Sequence, residues 1–232
     1  MLSIIIPTLN EQNYLPYLLT SLSKQTFQNF EVIVADADSK DKTREIAKNF
    51  GCRIIKGGLP GSGRNNGAKA AKNEWLLFLD ADVILPPYFL ERAMKEIKKR
   101  NLKAASCNIK PLSDKKIDKI LHNTVNLYFK GTERFWPHAP GFCIFAKKEI
   151  HQKINGFDEK IKFAEDHDYI MRASKIAPFR YLRSVKIPVS VRRLEKDGRF
   201  KIALKYALAE AHLVFLGPIR TDIFNYKFGY PD

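Results

Sequence analysis

Four short apolar runs, each closed by polar or glycine-rich turns and followed by a helical pattern, occupy the first hundred residues. That alternation is the strongest constraint in the chain. It calls for βαβ units and a parallel sheet, because parallel strands need a crossover, usually a helix, between them. Ser3–Pro7 is the first, β-branched run; Asn10 is placed to cap a helix whose Tyr14, Leu15, Leu18, Leu19 and Leu22 share one face. Pro16 falls early enough in that helix to be tolerated. Glu31–Ala35 reads as a second strand, with a helix opening at Ser39 or Asp41, running through Ile46 and Ala47 and ending at Gly51. Arg53–Lys56 is the third strand. A loop containing Gly57, Gly58, Gly61 and Gly63 then leads to a short helix with Arg64 at its start and Ala68 and Ala71 within it. Trp75–Leu79 is apolar throughout, and Pro86-Pro87 starts a helix reaching Arg100.

Past residue 101 the alternation fails. Ala104–Ile109 and Gly141–Ala146 read as strands, and Ile117–Phe129, Asp166–Lys175 and Phe200–Phe215 as helices, so a mixed sheet is expected. The 232 residues suit a single α/β domain with a nucleotide-binding-like half (1–100), a second half (101–190) and a basic, amphipathic C-terminal segment (191–232). Forty Lys and Arg against 25 Asp and Glu give a formal net charge of +15, which points to an anionic partner. Cys52, Cys107 and Cys143 have no CxxC spacing, which excludes a disulfide framework or a thiolate zinc cluster. No apolar run approaches the ~18 residues of a membrane span. The N-terminus lacks the basic region of a signal peptide, so a cytoplasmic protein is expected.

Two of the apolar strands stop at an aspartate, Asp36 and Asp80, each with a second carboxylate two positions on, Asp38 and Asp82. Parallel strands would bring both to the carboxyl edge, where open α/β sheets bind ligands. Asp is also common at strand ends and helix caps, so each residue alone decides nothing. Adjacent carboxylates repel unless a cation offsets them, and hard oxygen donors suit Mg²⁺ or Mn²⁺ with a phosphate. Of Asp36/Asp38, Asp80/Asp82 and Asp166/Asp168, the second pair follows the most apolar strand and is the best metal candidate. The segment Gly61-Ser62-Gly63-Arg64-Asn65-Asn66-Gly67 is no dinucleotide fingerprint, since its spacing is GxGxxxG and it does not follow the first strand.

Ser3-Ile4-Ile5-Ile6-Pro7-Thr8-Leu9-Asn10-Glu11, Val34-Ala35-Asp36, Arg64-Asn65-Asn66-Gly67-Ala68, Leu77-Phe78-Leu79-Asp80-Ala81-Asp82 and Gly156-Phe157-Asp158-Glu159 with Glu165-Asp166 occur in this order. Together they resemble the inverting family 2 glycosyltransferases, nucleotide-sugar-dependent enzymes of the GT-A fold, a Rossmann-like domain with a mostly parallel, mixed sheet flanked by helices. The resemblance implies that residues 1–100 bind the nucleotide sugar and 101–190 face the acceptor. It implies a nucleotide pocket lined by Thr8, Asn10 and Glu11, with Asp36 on the base, Arg64 on the nucleotide and Asp80 on the ribose. Asp82 would ligate Mn²⁺ or Mg²⁺, and Asp166 would be the general base. UDP is the nucleotide it favours. The family's Asp-Asp-Gly-Ser is here Asp36-Ala37-Asp38-Ser39, leaving base preference open. The Arg/Gln-x-x-Arg-Trp motif of processive members is replaced by Arg192-Arg193-Leu194-Glu195, which suggests single transfer. Either arginine is placed to brace a diphosphate.

The acceptor side is expected around Trp136, His138, Gly141 and Glu165: a Trp face suits sugar stacking, and Gly lets a substrate approach the backbone. Trp136 reads equally as a side chain packed under a loop. His167, beside the proposed base, is read as a solvated or capping residue, with tuning the base or completing a metal site as the alternative. From Lys175 to Lys205 there are ten Lys or Arg and two acids, ahead of an apolar helix. That helix reads as core packing with a charged outer face; the other reading is peripheral contact with an anionic membrane and a lipid-linked acceptor rather than a soluble glycan. A non-catalytic sugar-nucleotide binder and a nucleic-acid module are the rival classes. The latter lacks any recognisable motif, so no specific nucleic acid is expected.

Overall fold

The computed structural model describes residues 1–224. Seven strands form one sheet in the order β3-β2-β1-β4-β6-β5-β7. These are β1 (Leu2–Thr8), β2 (Phe30–Asp36), β3 (Arg53–Lys56), β4 (Trp75–Phe78), β5 (Ala104–Pro111), β6 (Ile144–Lys147) and β7 (Phe179–Val189). All ladders are parallel except those of β6, which runs against both β4 and β5. The sheet is therefore mixed, as expected, with a single reversed strand.

The period of two along each strand sends alternate side chains into two cores. Leu2, Ile4, Ile6, Val34, Leu77 and Leu79 face one, with Leu15, Leu18 and Leu22 of α1 (Leu15–Ser23) and Phe89, Leu90, Ala93 and Ile97 of α4 (Phe89–Lys99). Ile5, Ile33, Leu76 and Phe78 face the other, with Ala68 of α3 (Pro60–Ala70) and Tyr169 and Ile170 of α7 (Glu165–Ser174). Pro7 is accommodated in a central strand because it lies beyond Ile5, the last β1 residue paired to β4.

Several expectations need correcting. Asn10 does not cap α1: it is in the left-handed region (φ 55°), and the helix opens five residues later at Leu15. Gly61 and Gly63 lie inside α3 rather than in a loop, so Arg64 sits in its second turn and not at its start. The helix after β2 is α2 (Thr43–Asn49), opening beyond Ser39 and Asp41. The 11-residue β7 was not anticipated. Its alternation is broken where Arg183, Ser184 and Val185 leave the ladder between Cys107↔Leu182 and Asn108↔Lys186. Glu96 of α4 accepts the freed backbone N–H groups of Arg183 (3.0 Å) and Ser184 (2.8 Å).

The remaining helices are α5 (Lys116–Thr132), α6 (Lys148–Lys153), α8 (Arg192–Lys196) and α9 (Arg199–Leu216). α9 is not the core helix its apolar content suggests: within it only Ile202 and Ala209 are buried, while Phe200, Leu204, Leu208, Val214 and Phe215 are exposed. Among the described residues, no helix is long and apolar enough to cross a membrane.

Candidate functional site

The carboxyl ends of β1, β2 and β4 meet at one sheet edge, together with the residues that precede the reversed β6. At the β1–β2 end, the Thr8 hydroxyl donates to Asp36 Oδ2 (2.9 Å), and Ser39 donates its N–H to Oδ1 (3.0 Å) and its hydroxyl to Oδ2 (2.6 Å). Asn10 turns through φ 55°, a conformation Asn tolerates, and its N–H donates to Ser39 Oγ (2.9 Å). Asp38 is exposed with φ 62°. A cleft of about 350 Å³ beside these turns is lined by Asp36, Asp38, Arg44, Ile54, Ile55 and Lys56.

Arg64 is the centre of the arrangement. Its side chain is 3% exposed and donates to Glu165 Oε1 (2.6 Å), Asp80 Oδ1 (2.9 Å) and the Gly141 carbonyl (3.3 Å). Burial alone would lower its pKa, yet the charges of Asp80, Glu165 and Asp166 raise it. Asp166 Oδ2 accepts the Gly141 N–H (2.6 Å), so one glycine contacts both the arginine and the aspartate. A Cβ at 141 would lie 2.5 Å from Arg64 Nη2 and 3.1 Å from Asp166 Oδ2. A side chain at 141 would have to displace the guanidinium or the carboxylate, so glycine is favoured there by close approach and not by φ. Burial pushes the Asp166 carboxyl up, against the opposing pull of Arg64 and of the His167 and Gly141 N–H groups. Glu165 is likewise raised by burial, with Arg64 opposing and Asp166 adding. Both open α7, whose N-terminal dipole favours carboxylates; Asp166 is its second residue and not its cap, which is Ala164.

The helix α3 explains why two of the sequence motifs travel together. Asn65 donates to the Phe157 carbonyl (2.9 Å) and accepts its N–H (2.8 Å), and also donates to Glu159 Oε1 (2.8 Å). Phe157 in turn lies under Arg64, 5.3 Å from ring centroid to guanidinium.

Asp82 is occupied otherwise than the sequence suggested. Arg192 Nε lies 3.0 Å from Asp82 Oδ2, while its two terminal nitrogens donate to Glu11 (2.8 and 2.9 Å) and its guanidinium covers the Tyr14 ring at 4.3 Å. Arg192 is delivered here by β7, because the Ser190 N–H donates to the Asp82 carbonyl (3.1 Å). Burial raises the pKa of Glu11, with Arg192 opposing and Asp82 and Asp80 adding. Burial likewise raises Asp82, with Arg192 opposing and Asp80 adding. Glu11, Asp80 and Asp82 thus share one neighbourhood, with Asp80 38% exposed. Oxygen donors of this kind are those that hard divalent cations take, but each of these carboxylates is held by an arginine, Asp80 by Arg64 and Glu11 and Asp82 by Arg192, so a cation here would have to displace Arg192.

On the other side of Asp166, Trp136 neither stacks freely nor merely fills a loop: its Nε1 donates to Glu210 Oε1 (2.8 Å). The same carboxylate accepts the Tyr128 hydroxyl (2.8 Å) and a His138 Nε2 proton (2.9 Å). His167 is not a solvated cap. Its ring lies edge-on to that of His138 at 4.5 Å, and its Nδ1 is buried. Glu210 escaped the sequence reading, although a lone carboxylate in an otherwise apolar stretch of helix was the available signal.

A mixed sheet with carboxylates and a buried arginine at its carboxyl edge defines the class, and solved structures of that class superimpose on it. A mannosyltransferase from Pyrobaculum calidifontis, in complex with GDP-Man and Mn²⁺, aligns with TM-score 0.71 over 88% of this chain and 60% of its own at 19% identity. S. aureus TarS 1–349 in complex with UDP-GlcNAc aligns with TM-score 0.67 over 82% of this chain and 58% of its own at 24% identity. The fold is GT-A. The profile of Glycosyl transferase family 2 matches residues 3–156, and the chain belongs to that family. An uncharacterized glycosyltransferase of Haemophilus influenzae is 30% identical over 190 residues, which cover 74% of this chain and 61% of the relative. The uncharacterized glycosyltransferase EpsJ of Bacillus subtilis is 28% identical over 196 residues, covering 76% and 57%. The chain thus spans about 60% of the length of these curated relatives.

Proposed function

We propose that this chain transfers a sugar, with inversion and once per encounter, from a nucleoside-diphosphate donor of the UDP-sugar type to an acceptor hydroxyl or lipid-linked phosphate. The observation that carries the reading is the Arg64 guanidinium shared by Asp80, on the donor side, and Glu165, beside Asp166. A donor carboxylate and the candidate base are thereby fixed relative to one another. Thr8, Asn10, Glu11 and Asp36 would frame the base and ribose, with Asp80 on the ribose and the cleft beside Asp36 taking the base. Asp82, with Asp80 and Glu11 nearby, would hold Mn²⁺ or Mg²⁺. Such an ion, when bound, offsets the charge of a departing diphosphate. Arg192, released from Asp82, would then brace that diphosphate. Asp166 accepts the acceptor's O–H proton as the acceptor oxygen bonds to the anomeric carbon and the bond to the diphosphate oxygen breaks. Its raised pKa suits that task and its hydrogen bonds hold it in place.

Thermal denaturation with UDP, GDP, dTDP and CDP, each with and without Mn²⁺, tests the donor half. At a hundredfold excess over Kd, about 2.7 kcal/mol of added stability is expected, a rise on the order of 5–10 °C for UDP with Mn²⁺. Asp82→Asn should abolish the metal-dependent part. A flat response to all four nucleotides would defeat the reading.

The charge and the helix α9 support a lipid-linked acceptor. Phe200, Leu204 and Leu208 repeat every four residues on its exposed side, interleaved with Lys201 and Lys205. Sedimentation with phosphatidylglycerol vesicles at low salt should recover the protein, and Phe200→Ser with Phe215→Ser should release it. Equal recovery of both proteins, or none of the wild type, would remove the membrane from the reading.

A further inference from the structure

We propose that His138, His167 and Glu210 form a binding site for one transition-metal ion of the Zn²⁺ type, separate from the hard-cation site of the donor cleft. One ring nitrogen of each histidine and a Glu210 carboxylate oxygen all lie within 4.8 Å of one another. This set is unlike a chance surface cluster in three respects. His138 is 1% exposed, and a buried imidazole against a carboxylate needs a structural reason. The Nδ1 atoms of both His138 and His167 are buried and have no hydrogen-bond partner among the described residues, so the cluster is polar and incomplete. Glu210 is also held from outside: the Tyr128 hydroxyl and Trp136 Nε1 both donate to its Oε1, while His138 Nε2 is 2.9 Å from Oε2. A ligating carboxylate is typically oriented by such outer-shell hydrogen bonds. Stacking of Phe129 on the His138 ring (5.4 Å, 15°) fixes the imidazole.

Two imidazoles and one carboxylate suit Zn²⁺ or Co²⁺ and leave the fourth tetrahedral position open. Mg²⁺ prefers oxygen donors alone, which separates this site from Glu11, Asp80 and Asp82. The ligands come from the loop before β6, the first turn of α7 and the middle of α9. Binding would therefore tie α9 to the turn carrying Asp166, whose Oδ1 lies 3.9 Å from His167 Nε2. The inference rests on these contacts and not on the assignment of donor or acceptor.

The test is a Co²⁺ titration of chelator-treated protein in excess Mg²⁺, followed by the visible absorbance of tetrahedral Co²⁺. One equivalent should bind to the wild type and to Asp82→Asn. His167→Gln and Glu210→Gln should each weaken it by more than about 100-fold, beyond the 10–100-fold typical of outer-shell changes. X-ray absorption on the wild-type Co²⁺ protein should show two imidazole nitrogens, which decides the matter even if either variant fails to fold. Absence of the band, its loss in Asp82→Asn, its survival in both ligand variants, or a shell of oxygen alone would overturn the site.

Discussion

Asp166→Asn is expected to lower kcat by about 10²–10⁴-fold, the range a positioned general base supplies, while the Kd for UDP with Mn²⁺ stays within twofold of wild type. The amide's one oxygen can go on accepting the Gly141 N–H (2.6 Å), while acceptance of the adjacent His167 N–H (2.9 Å) is given up, so the side chain keeps its longer-range anchor and loses the proton acceptor. The pH dependence follows from the direction of the shift. The base acts ionised, and burial raises its pKa above the ordinary 3.8, so kcat/KM should fall on acidification with a midpoint above that value. The limb should disappear in Asp166→Asn. Near-normal turnover in the variant, or a midpoint at or below 3.8, would remove Asp166 from the role. Single-turnover kinetics with saturating donor separates the chemical step from binding.

Arg64→Leu should have the largest effect on stability. The substitution leaves Glu165, Asp166 and Asp80 around an apolar side chain, and stripping a buried charge from its partners costs about 3–5 kcal/mol. Near pH 7 that is a fall in Tm on the order of 10 °C. The sign with pH is fixed. Glu165 and Asp166 already have raised pKa values when folded, so their ionised forms are disfavoured in the native state. Without Arg64 both rise further, and the variant loses stability as pH climbs from acid through those values. The deficit should therefore be smaller near pH 5 than near pH 7 in urea melts. A deficit independent of pH would mean that Arg64 acts by packing on Phe157 rather than by charge. Arg64→Lys should recover only part of the loss, since a point charge cannot meet Glu165, Asp80 and the Gly141 carbonyl in one plane.

What was legible in the sequence divides along physical lines. Local patterns gave β1–β4 within one or two residues, because central strands such as β1 and β4 are apolar nearly throughout, the edge strand β3 is a short β-branched pair between charged ends, and parallel neighbours need helices between them. The aspartates at the sheet edge were legible for the same reason: they sit where apolar runs stop. β7 was hidden because Arg183–Val185 shift the phase of its alternation and Pro188 lacks a donor, both of which read as loop. Pairings between distant positions left no local trace. Nothing near Glu11 announces Arg192, 181 residues away, and nothing near His138 announces Glu210. α9 misled because an apolar helix reads alike whether its partner is the core or something outside the fold.

The reversed strand carries a consequence for how the molecule can change. Strands β1, β2 and β4 reach the shared edge as they end, whereas β6 arrives there as it begins. Gly141 and the aromatic residues before it therefore hang from a segment whose length is free of the crossovers that build the first half. An insertion between 112 and 140 would alter the surface facing Asp166 while leaving the β1–β4 ladders, and the carboxylates at their ends, in register. On the proposed reading the two sides of the reaction are built from separable stretches of chain, so the surface facing Asp166 can change without rebuilding the edge formed by β1, β2 and β4.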